Sequence, residues 1–138
     1  MIKNLQPYYK TPDGDFVLHK GDSRNVASIL NGARFDMVFA DPPYFLSNGG
    51  FSVQAGKCVS VNKGDWDASH GLEADTQFNY QWIKGCRELL NESGTIWVCG
   101  SYHNIFSVVN VLTELDFRIL NAVIWQKTNP PPNLSCRF

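Results

Sequence analysis

The 138-residue sequence has few charges, few cysteines and no long apolar run. Each shortage excludes a class. No stretch approaches the roughly 18 consecutive apolar residues that a membrane helix requires, so no membrane partner is expected. Met1-Ile2-Lys3-Asn4-Leu5-Gln6-Pro7 lacks the apolar core of a secretory leader, and a cytoplasmic location is expected. Charged residues make up 18% and the net charge is -1. That balance excludes a strongly basic nucleic-acid arm but leaves room for a local basic groove. Cys58, Cys86, Cys99 and Cys136 form no Cys-x-x-Cys pair, and His19, His70 and His103 do not cluster with them. Reduced thiols and no metal site are expected. Core-forming residues are plentiful, at 43% hydrophobic and 13% aromatic, in a length that suits one globular domain.

The hydrophobic pattern alternates between strand and helix. Residues 15–20 read as a short strand ending in Gly21-Asp22-Ser23. Asp22 or Ser23 can cap a helix with Val26, Ala27, Ile29 and Leu30 on one side, stopped by Asn31-Gly32. Residues 35–40 form a second, mostly apolar strand. Residues 45–71 hold Ser47-Asn48-Gly49-Gly50, Gly56, Gly64 and Gly71 and read as a long, irregular, mobile loop, a length usually tied to function. A helix is expected from about Glu73 to Leu90, with Phe78, Trp82, Ile83, Cys86 and Leu89 at helical spacing. A turn at 91–94 leads to a third strand at 95–99, then a helix carrying Ile105, Phe106, Val109, Leu112 and Leu115. A fourth strand follows at about 117–126, and Pro130-Pro131-Pro132 closes the pattern. Trp82 and Trp97 read as core. This order implies an α/β fold, a mostly parallel sheet with helices on both faces.

In such sheets, ligands bind beyond the carboxyl ends of the strands. Gly21-Asp22-Ser23, Asp41-Pro42-Pro43-Tyr44 and Gly100-Ser101-Tyr102-His103 each follow a strand, so they are expected to share one rim. Asp41-Pro42-Pro43-Tyr44 combines a carboxylate, two prolines without N–H groups and an aromatic ring. The prolines leave nearby carbonyls as acceptors. The set suits a flat substrate with an exocyclic amine: its two N–H donors would meet the Asp41 carboxylate and the Pro42 carbonyl while Tyr44 stacks on the ring. Without a ligand, the same tetrapeptide would simply end a strand and cap a turn.

Four segments carry a family resemblance. They are residues 39–50 (FADPPYFLSNGG), 63–67 (KGDWD), 94–105 (GTIWVCGSYHNI) and 124–130 (IWQKTNP). Their order and spacing resemble DNA adenine-N6 methyltransferases of the beta arrangement. The nearest subgroup is the second adenine methyltransferase of GATC restriction–modification systems, associated with single-stranded as well as duplex DNA. The resemblance implies a partial Rossmann-like fold, S-adenosylmethionine as cofactor and DNA as partner. It makes Asp41, Pro42, Pro43 and Tyr44 catalytic, and places Asp22 and Asp41 at the cofactor. Tyr44, Phe45, Ser47 and Asn48 become candidates for touching DNA, with Lys57, Lys63 and Lys127 as weaker ones. Asp65-Trp66-Asp67 is expected to anchor the loop and cap the next helix, and His103 to be a structural histidine.

The family also has a Phe-x-Gly-x-Gly cofactor turn and a recognition region, and neither is found in residues 1–138. The chain therefore reads as the catalytic-motif part of one methyltransferase domain. It is expected to pair with a missing half or to self-associate, because isolated strands leave sticky edges. Two other readings stay open: cytosine-N4 methylation, and a non-catalytic DNA-binding or assembly fragment. The Pro-Cys pair of cytosine-C5 chemistry is absent.

Overall fold

The computed structural model describes residues 6–30, 32–126 and 128. Asn31, Lys127, the proline run at 130–132 and Cys136 lie outside the described residues. The elements run β1 (Tyr9–Lys10), β2 (Val17–Leu18), α1 (Val26–Ile29), β3 (Phe35–Ala40), β4 (Phe51–Gln54), β5 (Lys57–Ser60), α2 (Leu72–Leu89), β6 (Leu90–Val98) and α3 (Ile105–Glu114). Short 3-10 turns at Ser23–Asn25 and Asp65–Asp67 complete them.

The central pair is β3 and β6, which run parallel with Met37, Val38, Phe39 and Ala40 opposite Thr95, Ile96, Trp97 and Val98. Register breaks between Phe35 and Met37, and the expected turn at 91–94 is absorbed into the irregular start of β6. Side chains alternate across a strand, and here the alternation has a consequence. Val38, Ala40, Ile96 and Val98 pack against a core of Trp82, Ile83 and Cys86 from α2, and Val108, Val111 and Leu112 from α3. Their neighbours Met37, Phe39 and Trp97 point the other way and are exposed, Phe39 at 67% and Trp97 at 48%. Among the described residues, helices thus cover one face of this pair rather than both, and Trp97 is not core. Trp82 is.

The helices are locked together by polar as well as apolar contacts. Asn79 is fully buried; its amide donates to Ser107 Oγ at 3.2 Å and its carbonyl accepts from Trp82 Nε1 at 3.1 Å. Such a satisfied buried network makes one packing arrangement preferable to near alternatives. Gly85 lets α1 close on α2, since a Cβ there would lie 2.8 Å from a Val26 methyl carbon. Burial pushes the Cys86 thiol up to about 11. Cys58, Cys86 and Cys99 are free.

Two expectations change. The stretch at 45–71 is not irregular throughout, because β4 and β5 form an antiparallel hairpin. Ala55 and Gly56, both at positive φ, make its two-residue turn, the geometry that matches strand twist. The strand expected at 117–126 is not formed among the described residues. Leu120, Val123, Ile124 and Trp125 are largely exposed there; an extended segment becomes a strand only with a ladder partner, and none of the described residues supplies one. The short strand expected at 15–20 is limited to β2 and pairs with β1, apart from the β3–β6 sheet. No helix among the described residues is long and apolar enough to cross a membrane.

Ile83 sits at the centre of the core with no exposed surface. Ile83→Ala is expected to cost about 2–5 kcal/mol, through lost transfer free energy and a residual cavity. The measurement is a denaturant midpoint that falls at unchanged slope.

Candidate active site

Parallel pairing sends β3 and β6 out of the sheet side by side. The last rung, from the Cys99 N–H to the Ala40 carbonyl at 2.8 Å, places Asp41 and Gly100 at the same edge. The expected sharing of a rim therefore holds for these two segments. Asn104 ties them together. Its carbonyl accepts from the Ser101 N–H at 2.9 Å, and its amide donates to the Pro43 carbonyl at 3.2 Å. Asn104 is 1% exposed and precedes α3 without capping it through its side chain. It was not singled out from the sequence. The only available signal was an Asn directly ahead of a helix, which ordinarily reads as a cap.

Asp41 is exposed, and Tyr44 is partly buried beside it. The Tyr44 hydroxyl donates to Asp41 Oδ1 at 2.8 Å. Among the described residues Oδ2 of Asp41 accepts no hydrogen bond, nor does the Pro42 carbonyl. Of the two proline carbonyls, that of Pro43 is the one already engaged. Burial, then the hydrogen bond and charge of Asp41, push the Tyr44 phenol up to about 12. Lys63 Nζ lies 5.8 Å from the Tyr44 ring centroid, within range of a cation–π contact.

Residues 44–47 owe their shape to Asp67. This carboxylate is 1% exposed. Oδ1 accepts from the Tyr44 and Phe45 N–H groups at 2.8 and 3.0 Å, and Oδ2 from the Leu46 N–H at 3.3 Å and the Ser47 hydroxyl at 2.9 Å. Burying a charge is unfavourable unless hydrogen bonds replace the lost water, and here four donors do so. Successive N–H groups converging on one anion form a backbone nest. Within it Phe45 takes φ 58°, a left-handed conformation uncommon for a side chain of this size. The Ser47 N–H returns to the Asp67 carbonyl at 3.0 Å, and the Lys63 N–H donates to Ser47 Oγ at 2.8 Å. Asp65-Trp66-Asp67 thus anchors the loop as expected, but it does not cap α2. Gly71 occupies that position, and Asp75 accepts from the His70 N–H and the Ser69 hydroxyl instead.

The remaining candidates divide. Ser47 is buried and its hydroxyl is used within the loop. Asn48 is exposed, its amide donating to the Phe45 carbonyl and its carbonyl accepting from the Ser69 N–H. Lys57 and Lys63 are exposed. His103 is exposed, with its ring 4.0 Å from that of Tyr102. Asp22 caps the 3-10 turn by accepting from the Arg24 N–H at 2.9 Å. Both of its oxygens also accept from Arg24 Nε, at 3.0 and 2.9 Å, and the Arg24 hydrogen bonds hold its carboxyl below the usual range. Arg24 lies over the Phe78 ring, which meets Phe45 edge-on at 5.9 Å. An aromatic chain therefore links the Asp22 segment to the rim. A half-open cavity of about 250 Å³ opens between Tyr44, Phe45, Asn48, Asp75, His103 and Asn104.

A carboxylate, two prolines and a tyrosine thus follow one strand at the carboxyl edge of a parallel pair. Residues 35–138 match the model of the DNA methylase family, and the chain belongs to that family. It is 45% identical over 134 residues to the type II methyltransferase M2.MboI of Moraxella bovis. It is 48% identical over 133 residues to M2.DpnII of Streptococcus pneumoniae and 50% identical over 133 residues to M2.LlaDCHI of Lactococcus lactis subsp. cremoris. These alignments cover 97%, 96% and 96% of this chain but 49% of each relative, so the chain spans about half the length of the relatives it matches.

An unfolded tyrosine ionises near 10. A folded value near 12 means that the native state holds the Tyr44 proton more tightly. The resulting stabilisation is complete below pH ~10 and is lost as pH rises through ~12. In a phenolate absorbance titration, Tyr44→Phe should remove a step near pH 12. Asp41→Asn should lower that step yet leave it above the ordinary value, because burial is the larger cause.

Proposed function

We propose that this chain carries the catalytic motif of a DNA adenine-N6 methyltransferase, with a partial Rossmann-like fold, S-adenosylmethionine as methyl donor and GATC as the target in duplex or single-stranded DNA. One observation carries the reading. Among the described residues, one Asp41 carboxylate oxygen and the carbonyl of the next residue, Pro42, accept no hydrogen bond, and the Tyr44 hydroxyl holds the other Asp41 oxygen.

A target adenine must leave the base stack before its amine can enter such a pocket. A single strand avoids most of that unpairing cost. The amine is a weak nucleophile because its lone pair is delocalised into the ring. Asp41 Oδ2 and the Pro42 carbonyl would each accept one of its protons, drawing the nitrogen toward tetrahedral geometry and localising the pair. As positive charge grows on nitrogen, Asp41 stabilises it more strongly than in the ground state, which is the condition for catalysis. Asp41 Oδ2 is then the acceptor available for the surplus proton. Tyr44, held upright by its bond to Asp41 Oδ1, offers the stacking face, and Phe45 and Asn48 border the same cavity. The burial of Ser47 favours a scaffolding role for it over contact with DNA.

The cofactor supplies a methyl group on a cationic sulfur. The rim fits that charge: Asp41 is an exposed carboxylate, and Tyr44 and Phe45 present aromatic rings. Asp22 would reach the cofactor only by loosening its pair with Arg24.

The exposed Met37, Phe39 and Trp97 face and the half-length match together support a companion for the β3–β6 sheet, either further polypeptide of the relatives' other half or a second copy. An exposed apolar patch of this kind marks an interaction surface.

With the chain combined with a companion half that carries the cofactor turn, and with DNA and S-adenosylmethionine, mass analysis of digested nucleosides should detect N6-methyladenine. Detection of N4-methylcytosine alone would overturn the adenine assignment. Asp41→Ala should lower methyl transfer by at least about 10²–10³-fold while DNA binding persists. Ordinary turnover in that variant would remove Asp41 from the mechanism, and failure to bind the cofactor in calorimetry would favour a non-catalytic module.

A further inference from the structure

We propose that Asp67 is a positioning residue for the methyl-transfer reaction, acting through the backbone of residues 44–46 to hold Tyr44 against Asp41; this rests on the functional reading above. Asp67 lies 23 positions beyond Tyr44, on the far side of the β4–β5 hairpin. Its carboxylate nevertheless bonds three consecutive N–H groups and one hydroxyl of the segment that follows the two prolines. Prolines fix the chain before Tyr44. Nothing in the local sequence fixes it afterwards, and Phe45 must turn through a left-handed conformation. The carboxylate supplies the missing constraint, since only an anion with two oxygens accepts from all four donors at once.

The hairpin becomes part of the same device. Its base returns at Lys63, whose N–H meets Ser47 Oγ and whose Nζ lies over the Tyr44 ring. Tyr44 is thereby held by its hydroxyl on Asp41, by its backbone on Asp67 and by a cation over its face. Rotation of the nest would swing the phenol away from Asp41 Oδ1 and disturb both the stacking face and the carboxylate it orients. A reacting group displaced by about 1 Å costs up to about 10²-fold in rate.

The test uses Asp67→Asn and Ser47→Ala in the intact protein, read in two ways. An amide at 67 keeps one acceptor but turns N–H donors toward the Leu46 N–H and the Ser47 hydroxyl. Hydrogen exchange on peptides spanning 44–47 should therefore accelerate by about tenfold or more, with α2 and β6 protected as in the parent. Turnover per cofactor-binding site should fall by about 10–100-fold, with little change in KM for S-adenosylmethionine. Ser47→Ala, which removes one of four donors, should move both readouts in the same direction by less. A merely structural role would lower the fraction of folded sites and leave turnover per site unchanged, and that result overturns the proposal. So does unchanged exchange at 44–47. If Asp67→Asn exchanges throughout the molecule, Ser47→Ala decides, and parental values in both its readouts overturn the proposal. The exchange readout is independent of activity, so normal turnover by Asp41→Ala would sink the functional reading without touching the evidence for the nest.

Discussion

Between the Ala40 carbonyl and the Cys99 N–H runs a single 2.8 Å hydrogen bond, the last rung of the parallel pair. Everything at the rim depends on where that rung falls. It brings two chain segments, 59 positions apart at Asp41 and Gly100, out of the sheet at one level. A shift of one residue would turn Val38 and Ala40 away from the helices and expose them in place of Met37 and Phe39. The buried set holds the register, and the register holds the site. Asn104 then bridges the two exits with one buried carboxamide, using its acceptor on one loop and its donors on the other.

Beyond the rung, the chain manages a conflict between rigidity and exposure. Asp41 is exposed, so packing does not hold it in place. Two prolines stiffen the backbone after it, and Asp67 secures what the prolines cannot. A buried carboxylate would be costly alone; four short-range donors make it the most heavily bonded acceptor at the rim. The left-handed backbone at Phe45 is the cost of this arrangement, of order 1–3 kcal/mol for a residue held in a sparsely populated region. Strain of that kind persists only where the surroundings over-determine it, and here a nest, a hairpin base and an aromatic contact to Phe78 do so.

Among the described residues, helices cover one face of the β3–β6 pair and leave Met37, Phe39 and Trp97 exposed on the other. The apolar residues of the uncovered face share strands with those of the core, so the same alternation that builds the interior also builds the patch. Trp97 thus sits on the exposed face of β6, while Tyr44 follows β3 at the carboxyl edge of the same pair. The relatives that the chain matches are about twice its length, and the exposed face and the candidate site belong to the same element pair.

Much of this was legible in the sequence. Apolar runs at 35–40 and 95–99 announced β3 and β6, though one face of each is exposed, and helical spacing from Phe78 to Leu89 announced α2. These signals are local: periodicity and residue type act within a few positions. What tertiary structure alone decided is non-local. Trp97 looked like core because strand alternation cannot say which face will be covered. Residues 117–126 looked like a strand because β-propensity cannot supply a ladder partner. Ser47 looked available to DNA until Asp67 and Lys63 enclosed its hydroxyl. Residue order set which groups carry a carboxylate, an aromatic ring or an amide. The packing of distant segments determined which of them stand free at the rim, because a hydrogen bond or a buried face exists only when both partners have arrived.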